Sequence, residues 1–234
     1  MENQAFNNQL PNYAAGISIS QVMRKVYVKM FLAMIVSAAA AYICTTVEQI
    51  TALLFSSPVV YFALCILELI MVVVLTHKIA KGASSTTATL MFYLFAVLNG
   101  VTLSAILLVY TASSVVSTFA ITAGVFAAMS GYGYFTDKDL SGLGSFLFMA
   151  LIGLIIMSVV NIFLGSSTME WIISFAGVAI FIGLTAWDTQ KIKQMLVNST
   201  PEQTENVATL GALSLYLDFI NLFIYLLRFF GNRD

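Results

Sequence analysis

The sequence predicts an all-α integral membrane protein with seven transmembrane helices. Three observations carry that prediction. Hydrophobic residues make up 60% of the 234-residue chain and charged residues only 9%, against about 25% charged in an average soluble domain. Seven stretches have the roughly 20 apolar residues that cross a hydrocarbon core about 30 Å thick. The lysines and arginines concentrate at alternate ends of those stretches. The mean hydropathy of +0.94 leaves too little polar surface for solubility. The net charge of -1 implies no nucleic-acid partner.

Residues 1–23 (MENQAFNNQLPNYAAGISISQVM) are polar and rich in Asn and Gln. They lack the basic start and apolar core of a cleavable signal and read as a cytoplasmic tail. Residues 24–234 form the membrane domain, with approximate spans 26–47, 58–76, 88–110, 114–135, 143–164, 170–190 and 207–230. Pro58 opens the second span at a tolerated helix position. HKIAKGASS separates the second span from the third, TASS marks a tight turn at 111–114, and TDKDLSGLG separates the fourth from the fifth. GSSTME precedes the sixth span. KIKQMLVNSTPEQTEN, with Pro201, is the longest and most polar link.

Lys and Arg near span ends orient a membrane protein, with the basic side cytoplasmic. An inward N-terminus puts Arg24, Lys25, Lys29, Lys78, Lys81, Lys138, Lys191 and Lys193 inside, and only Arg228 and Arg233 outside. Seven spans then leave the C-terminus on the periplasmic side. Cys44 and Cys65 lie in apolar segments without a CxxC pair, and a single histidine argues against a Cys/His zinc site.

Strongly polar residues within the spans are few: Glu68, Asn99, Asn161, Asp188, Asp218 and Asn221. A charge at the bilayer centre costs about 2.5–3.5 kcal/mol on insertion scales, and such carboxylates are functional by default. Asp218 sits in LSLYLDFINLFIYLLRFF, and Asn221, three residues on, is expected on the same face. At about 1.5 Å per residue, Asp188 lies roughly 25 Å from the outer edge and Asp218 roughly 18 Å. The sixth and seventh spans are consecutive and antiparallel, so the two carboxyl groups can meet. If they meet, one shared proton, O–H···O⁻, is the least costly arrangement. Such a pair is a latch that ties two helices when protonated. Its freed oxygens suit a hard cation such as Ca²⁺, which makes Asp188 and Asp218 the candidate metal ligands as well. Asp188 can alternatively be a span-end residue paired with Lys191 or Lys193. Glu68, Asn99 and Asn221 are accessory polar candidates, and inter-helix hydrogen bonding is the plainer role for Asn99 and Asn161.

GLTAWDTQKIK (183–193) and LGALSLYLDFINLFIYLLRFFGNR (210–233) resemble the Bax inhibitor-1 family, also called the transmembrane Bax-inhibitor-motif family. Residues 109–153 look like its bacterial YccA/YbhL-type branch. The likeness covers almost the whole chain after the tail. It implies a seven-helix bundle with the last helix central, and a pH-sensitive calcium leak of the bacterial inner membrane governed by the aspartates that match Asp188 and Asp218. It also implies a basic lock on the second helix. Here that span carries Glu68 inside, with His77 and Lys78 only at its end, and the resemblance leaves the lock unassigned.

Several function classes remain. The first is a proton-gated cation leak without enzymatic activity or resident cofactor, its partners being the lipid bilayer, Ca²⁺ and protons. The second is a non-conducting regulator that binds a membrane protease or other partner through the tail and the 191–206 link. An intramembrane aspartyl protease is disfavoured, because WDT and YLD do not supply the GxGD that such enzymes carry. A retinal protein lacks its lysine in the seventh span, and no phosphate-binding loop is present. Coupled transport stays open, although no span has a broken-helix Gly/Pro signature.

Overall fold

A computed structural model describes residues 18–232. Residues 1–17 of the expected tail and Arg233 lie outside them. Eight helices follow in order: α1 Ile19–Thr46, α2 Glu48–Leu54, α3 Pro58–Ala80, α4 Ser85–Val109, α5 Ala112–Phe135, α6 Ser141–Leu164, α7 Ser167–Val197 and α8 Thr204–Phe230. All but the short α2 are long and apolar enough to span a membrane, and no strand occurs among the described residues. The chain is an all-α, seven-span membrane protein.

Local chemistry starts and stops the helices. The hydroxyls of Ser57, Ser84, Thr111 and Ser166 accept hydrogen bonds from the amides of Val59, Thr87, Ser114 and Met169. Each satisfies an amide that the first helical turn leaves without a carbonyl. Pro58 takes the first position of α3, where a missing N–H costs nothing. α6 ends on Gly165, whose left-handed φ of 61° reverses the chain into α7.

α8 is central. In its most apolar stretch 67% of residues are buried within the protein, against 6% in α3 and 11% in α6. It packs against α1, α3, α4, α5 and α7. The main core is built around Tyr216 and Phe219 of α8 with Phe92 and Phe95 of α4 and Val26 and Met30 of α1. A second cluster joins Leu222 and Leu226 of α8 to Ile173, Ile180 and Phe181 of α7 and Leu147 and Leu154 of α6. Between helices in lipid, close packing and hydrogen bonds replace the hydrophobic effect as the cohesive terms.

Three boundaries differ from the sequence expectation. α1 begins at Ile19, so residues 18–23, expected in the tail, are its cap and first turn. α2 occupies what reads as the first extramembrane link. α7 runs to Val197, through half of the expected 191–206 link, because Ile192 and Leu196 are each 1% exposed and lie on one helical face. The remaining link is only residues 198–203. At about 1.5 Å per residue, the 31 residues of α7 are longer than the hydrocarbon thickness.

Candidate functional site

The tetrad Trp187-Asp188-Thr189-Gln190 of α7 holds four different relationships. Trp187 fills the space over Gly144 of α6, where a Cβ would lie 2.1 Å from the indole. Thr189 is fully buried and shares a hydrogen bond of 2.9 Å with Ser130 of α5. Gln190 donates to the carbonyl of Lys138 at 2.8 Å and accepts from the amide of Leu140 at 2.9 Å, fastening the α5–α6 turn. Gly133 of α5 makes this closeness possible, since a Cβ there would lie 2.1 Å from the carbonyl oxygen of Ala186.

The fourth relationship is with Asp218. Asp188 is half-buried, Asp218 is 4% exposed, and their carboxyl groups lie within hydrogen-bond reach of each other. Asp218 Oδ2 is buried and has no hydrogen-bond partner among the described residues. Two carboxyl groups can share a hydrogen bond only when one carries a proton. A bare pair would leave a buried acceptor unsatisfied beside a like charge.

Among the described residues Asp188 forms no ion pair with Lys191. The Lys191 ammonium lies over the Trp187 ring, 4.5 Å from its centroid. Lys193 donates to the carbonyl of Tyr134 at 3.1 Å. Lys191 remains close enough to act on Asp188 through the field.

Asn221 does not join the aspartates. Its amide donates to Leu217 of its own helix at 2.8 Å, and its side chain lines a separate cavity. Three residues turn a helix through about 300°, leaving roughly 60° between the two directions. In a helix surrounded on all sides that offset is enough to select a different neighbour.

That cavity, of about 410 Å³, lies between α3, α4 and α8, away from the basic end of the bundle. Glu68 and Asn99 line it, and so does Arg228 near the far end of α8. Thr102 donates to Glu68 at 2.6 Å, and Asn99 lies close enough to Glu68 to act on its carboxyl group. Tyr216 donates to Asn99 Oδ1 at 2.7 Å and meets Ser37 Oγ at 2.6 Å. Glu68, Asn99, Tyr216 and Ser37 thus form one polar seam across α3, α4, α8 and α1. Asn161 accepts from the amide of Ser166 at 3.1 Å and acts as a helix-end cap.

At the basic end, Glu205 of α8 pairs with Lys25 and Lys29 of α1, and Lys29 also donates to Thr209 at 2.8 Å. Sequence reading missed Ser37, Ser130, Thr189, Gln190, Glu205 and Tyr216. The spacing of Glu205, Thr209 and Tyr216 along one side of α8 was the available signal for part of this set.

No group of three or more His, Cys, Asp or Glu side chains suited to a metal occurs among the described residues. Ca²⁺ takes six to eight oxygen ligands. The aspartate pair brings four carboxyl oxygens, fewer than that set.

A family profile described as inhibitor of apoptosis-promoting Bax1 matches residues 19–234. The chain is 47% identical over 214 residues to the inner membrane protein YbhL of Escherichia coli K12, covering 90% of this chain and 91% of that one. An uncharacterized protein of Borreliella burgdorferi is 44% identical over 216 residues, covering 92% of this chain and 93% of its own. The Rickettsia prowazekii protein RP147 is 42% identical over 234 residues, covering 99% and 94%.

Proposed function

The chain belongs to the Bax inhibitor-1 family, and from that premise we propose that it is a pH-sensitive cation leak gated by a proton shared between Asp188 and Asp218. Ca²⁺ is the leading ion, and the activity is passive and non-enzymatic. The observation that carries the proposal is the nearness of two carboxyl groups on adjacent spans, close enough to act on each other, one of them buried with an oxygen that has no hydrogen-bond partner among the described residues.

The bound proton ties α7 to α8 and holds the closed state. Its loss leaves two like charges in a poorly screened setting, a repulsion of a few kcal/mol at contact distances. Separation of the helices lets water hydrate both groups. The parted state binds fewer protons than the joined one, so raising the pH shifts the population toward the parted state. Open, the carboxylates present hard oxygen ligands to a divalent cation in transit. The cavity that holds Glu68 supplies an approach from the end opposite the basic one.

By the positive-inside rule, the basic ends of α1, α3 and α7 and the basic α5–α6 turn support an N-terminus in the cytoplasm and a C-terminus outside. The name of the Escherichia coli relative supports a bacterial inner-membrane location.

Reconstitution into liposomes holding a Ca²⁺ indicator tests the proposal. Wild-type flux rises with pH by up to about tenfold per unit for a one-proton gate. Asp188→Asn and Asp218→Asn each flatten that response. A wild-type protein that carries no Ca²⁺ at any pH, or an unchanged pH response in both variants, contradicts it.

A further inference from the structure

α1 and α5 both pack on α8 but scarcely touch one another. The gap between them at the basic end is a groove of about 640 Å³. Tyr27 and Ser130 bridge it with a hydrogen bond of 2.6 Å. The walls are otherwise almost wholly apolar, and their rims, Val28, Phe31 and Phe135, are 51%, 57% and 78% exposed on the membrane-facing side. An apolar trough left empty in a bilayer forfeits dispersion contacts along its whole length.

Arg24 is the one charged side chain that lines the groove, and among the described residues it forms no ion pair. Along α1 the groove runs from Ser20 to Phe31, about 16 Å at 1.5 Å per residue. That matches half of a hydrocarbon core about 30 Å thick. A lone cation at the polar end of a leaflet-deep apolar trough complements an anionic headgroup carrying an acyl chain. Basic pockets between spans hold anionic lipids by this chemistry.

We propose that this groove binds one anionic phospholipid of the leaflet at the basic end, its phosphate on Arg24 and one acyl chain between α1 and α5. The site stands apart from the ion-leak reading and does not depend on it. Gly131 offers a clean way to close it: it lines the groove, and a Cβ there meets nothing within 4 Å. Gly124, about two turns earlier on α5, has equally open surroundings but does not line the groove.

The test is native mass spectrometry of the delipidated full chain with phosphatidylglycerol or phosphatidylcholine of identical acyl chains. The expected result is one phosphatidylglycerol bound in preference to phosphatidylcholine. Arg24→Gln weakens it about fivefold, the factor for one basic residue at a headgroup. Gly131→Leu abolishes it, whereas Gly124→Leu does not. Equal binding of both lipids that Arg24→Gln leaves unchanged overturns the proposal. So does a Gly131→Leu protein that binds as the Gly124→Leu protein does. Binding that emerges only after deletion of residues 2–17 assigns the groove to the chain's own N-terminal segment and overturns it too.

Discussion

The carboxyl group of Asp218 on α8 lies close enough to that of Asp188 on α7 for the two to act on each other, and Asp218 Oδ2 is buried with no hydrogen-bond partner among the described residues. The pair joins the central helix to a neighbour whose other polar contacts run outward to α5 and to the α5–α6 turn. A change in the proton count at this point therefore acts on the seam between α8 and its surroundings.

The first prediction concerns the sign of that coupling. At low pH the shared proton makes the pair mutually stabilising, so a double-mutant cycle with Asp188→Asn and Asp218→Asn gives a favourable coupling of about 0.5–3 kcal/mol. At high pH the proton is gone and the coupling reverses sign, because either single substitution removes the repulsion. Thermal unfolding in detergent at two pH values measures both. A coupling that keeps its sign and size across pH contradicts the shared proton.

Gly131 and Gly133 lie two residues apart on α5 and predict opposite results. An added Cβ at Gly133 would lie 2.1 Å from the Ala186 carbonyl oxygen, whereas at Gly131 it meets nothing within 4 Å. Gly131→Ala gains about 0.5–1 kcal/mol through helix propensity. Gly133→Ala forces α5 from α7 and loses about 1–3 kcal/mol net. Unfolding midpoints of the two variants decide, and equal effects would contradict the packing described.

Gln190→Ala removes both hydrogen bonds that hold the α5–α6 turn. The buried amide of Leu140 then loses its acceptor. The expected cost is about 1–3 kcal/mol, accompanied by faster hydrogen exchange at Leu140. Because Gln190 touches neither aspartate carboxyl, the pH midpoint of any Ca²⁺ flux stays where it is in the wild type.

Tyr216→Phe keeps the ring contacts with Phe92 and Phe95. It breaks the seam from Ser37 to Glu68 by removing the donor to Asn99. Inter-helix hydrogen bonds in membranes average about 0.6 kcal/mol, with a maximum near 1.7. The loss should fall in that range in an unfolding titration. A larger loss would mean that the hydroxyl also fixes the register of α8 against α1 and α4.

Much of the architecture is legible along the chain. The seven apolar runs, the turn chemistry at Ser57-Pro58 and Gly165, and the two aspartates stand out because each contrasts with its immediate surroundings. What was not legible depends on partners distant in sequence. Lys191 and Lys193 make the end of α7 read as a link, while the alternate positions Ile192 and Leu196 carry it onward as buried helix. Tyr216 reads as one more aromatic in an apolar run, and only the approach of Ser37 and Asn99 reveals its hydroxyl as a junction. Gln190 gains its role from a turn that sequence places 50 residues away. Asn221 is on the same broad side of α8 as Asp218, but the roughly 60° between them turns it to the cavity that Glu68 lines.

The most direct measurement is an infrared pH titration of the protein in lipid, following the carbonyl stretch of protonated carboxylic acids. The shared-proton account predicts one carboxylic acid that loses its proton as the pH rises, in step with Ca²⁺ flux, and whose band is displaced or lost in both Asp188→Asn and Asp218→Asn. A band that titrates unchanged in either variant, or two acids that titrate independently, would contradict it.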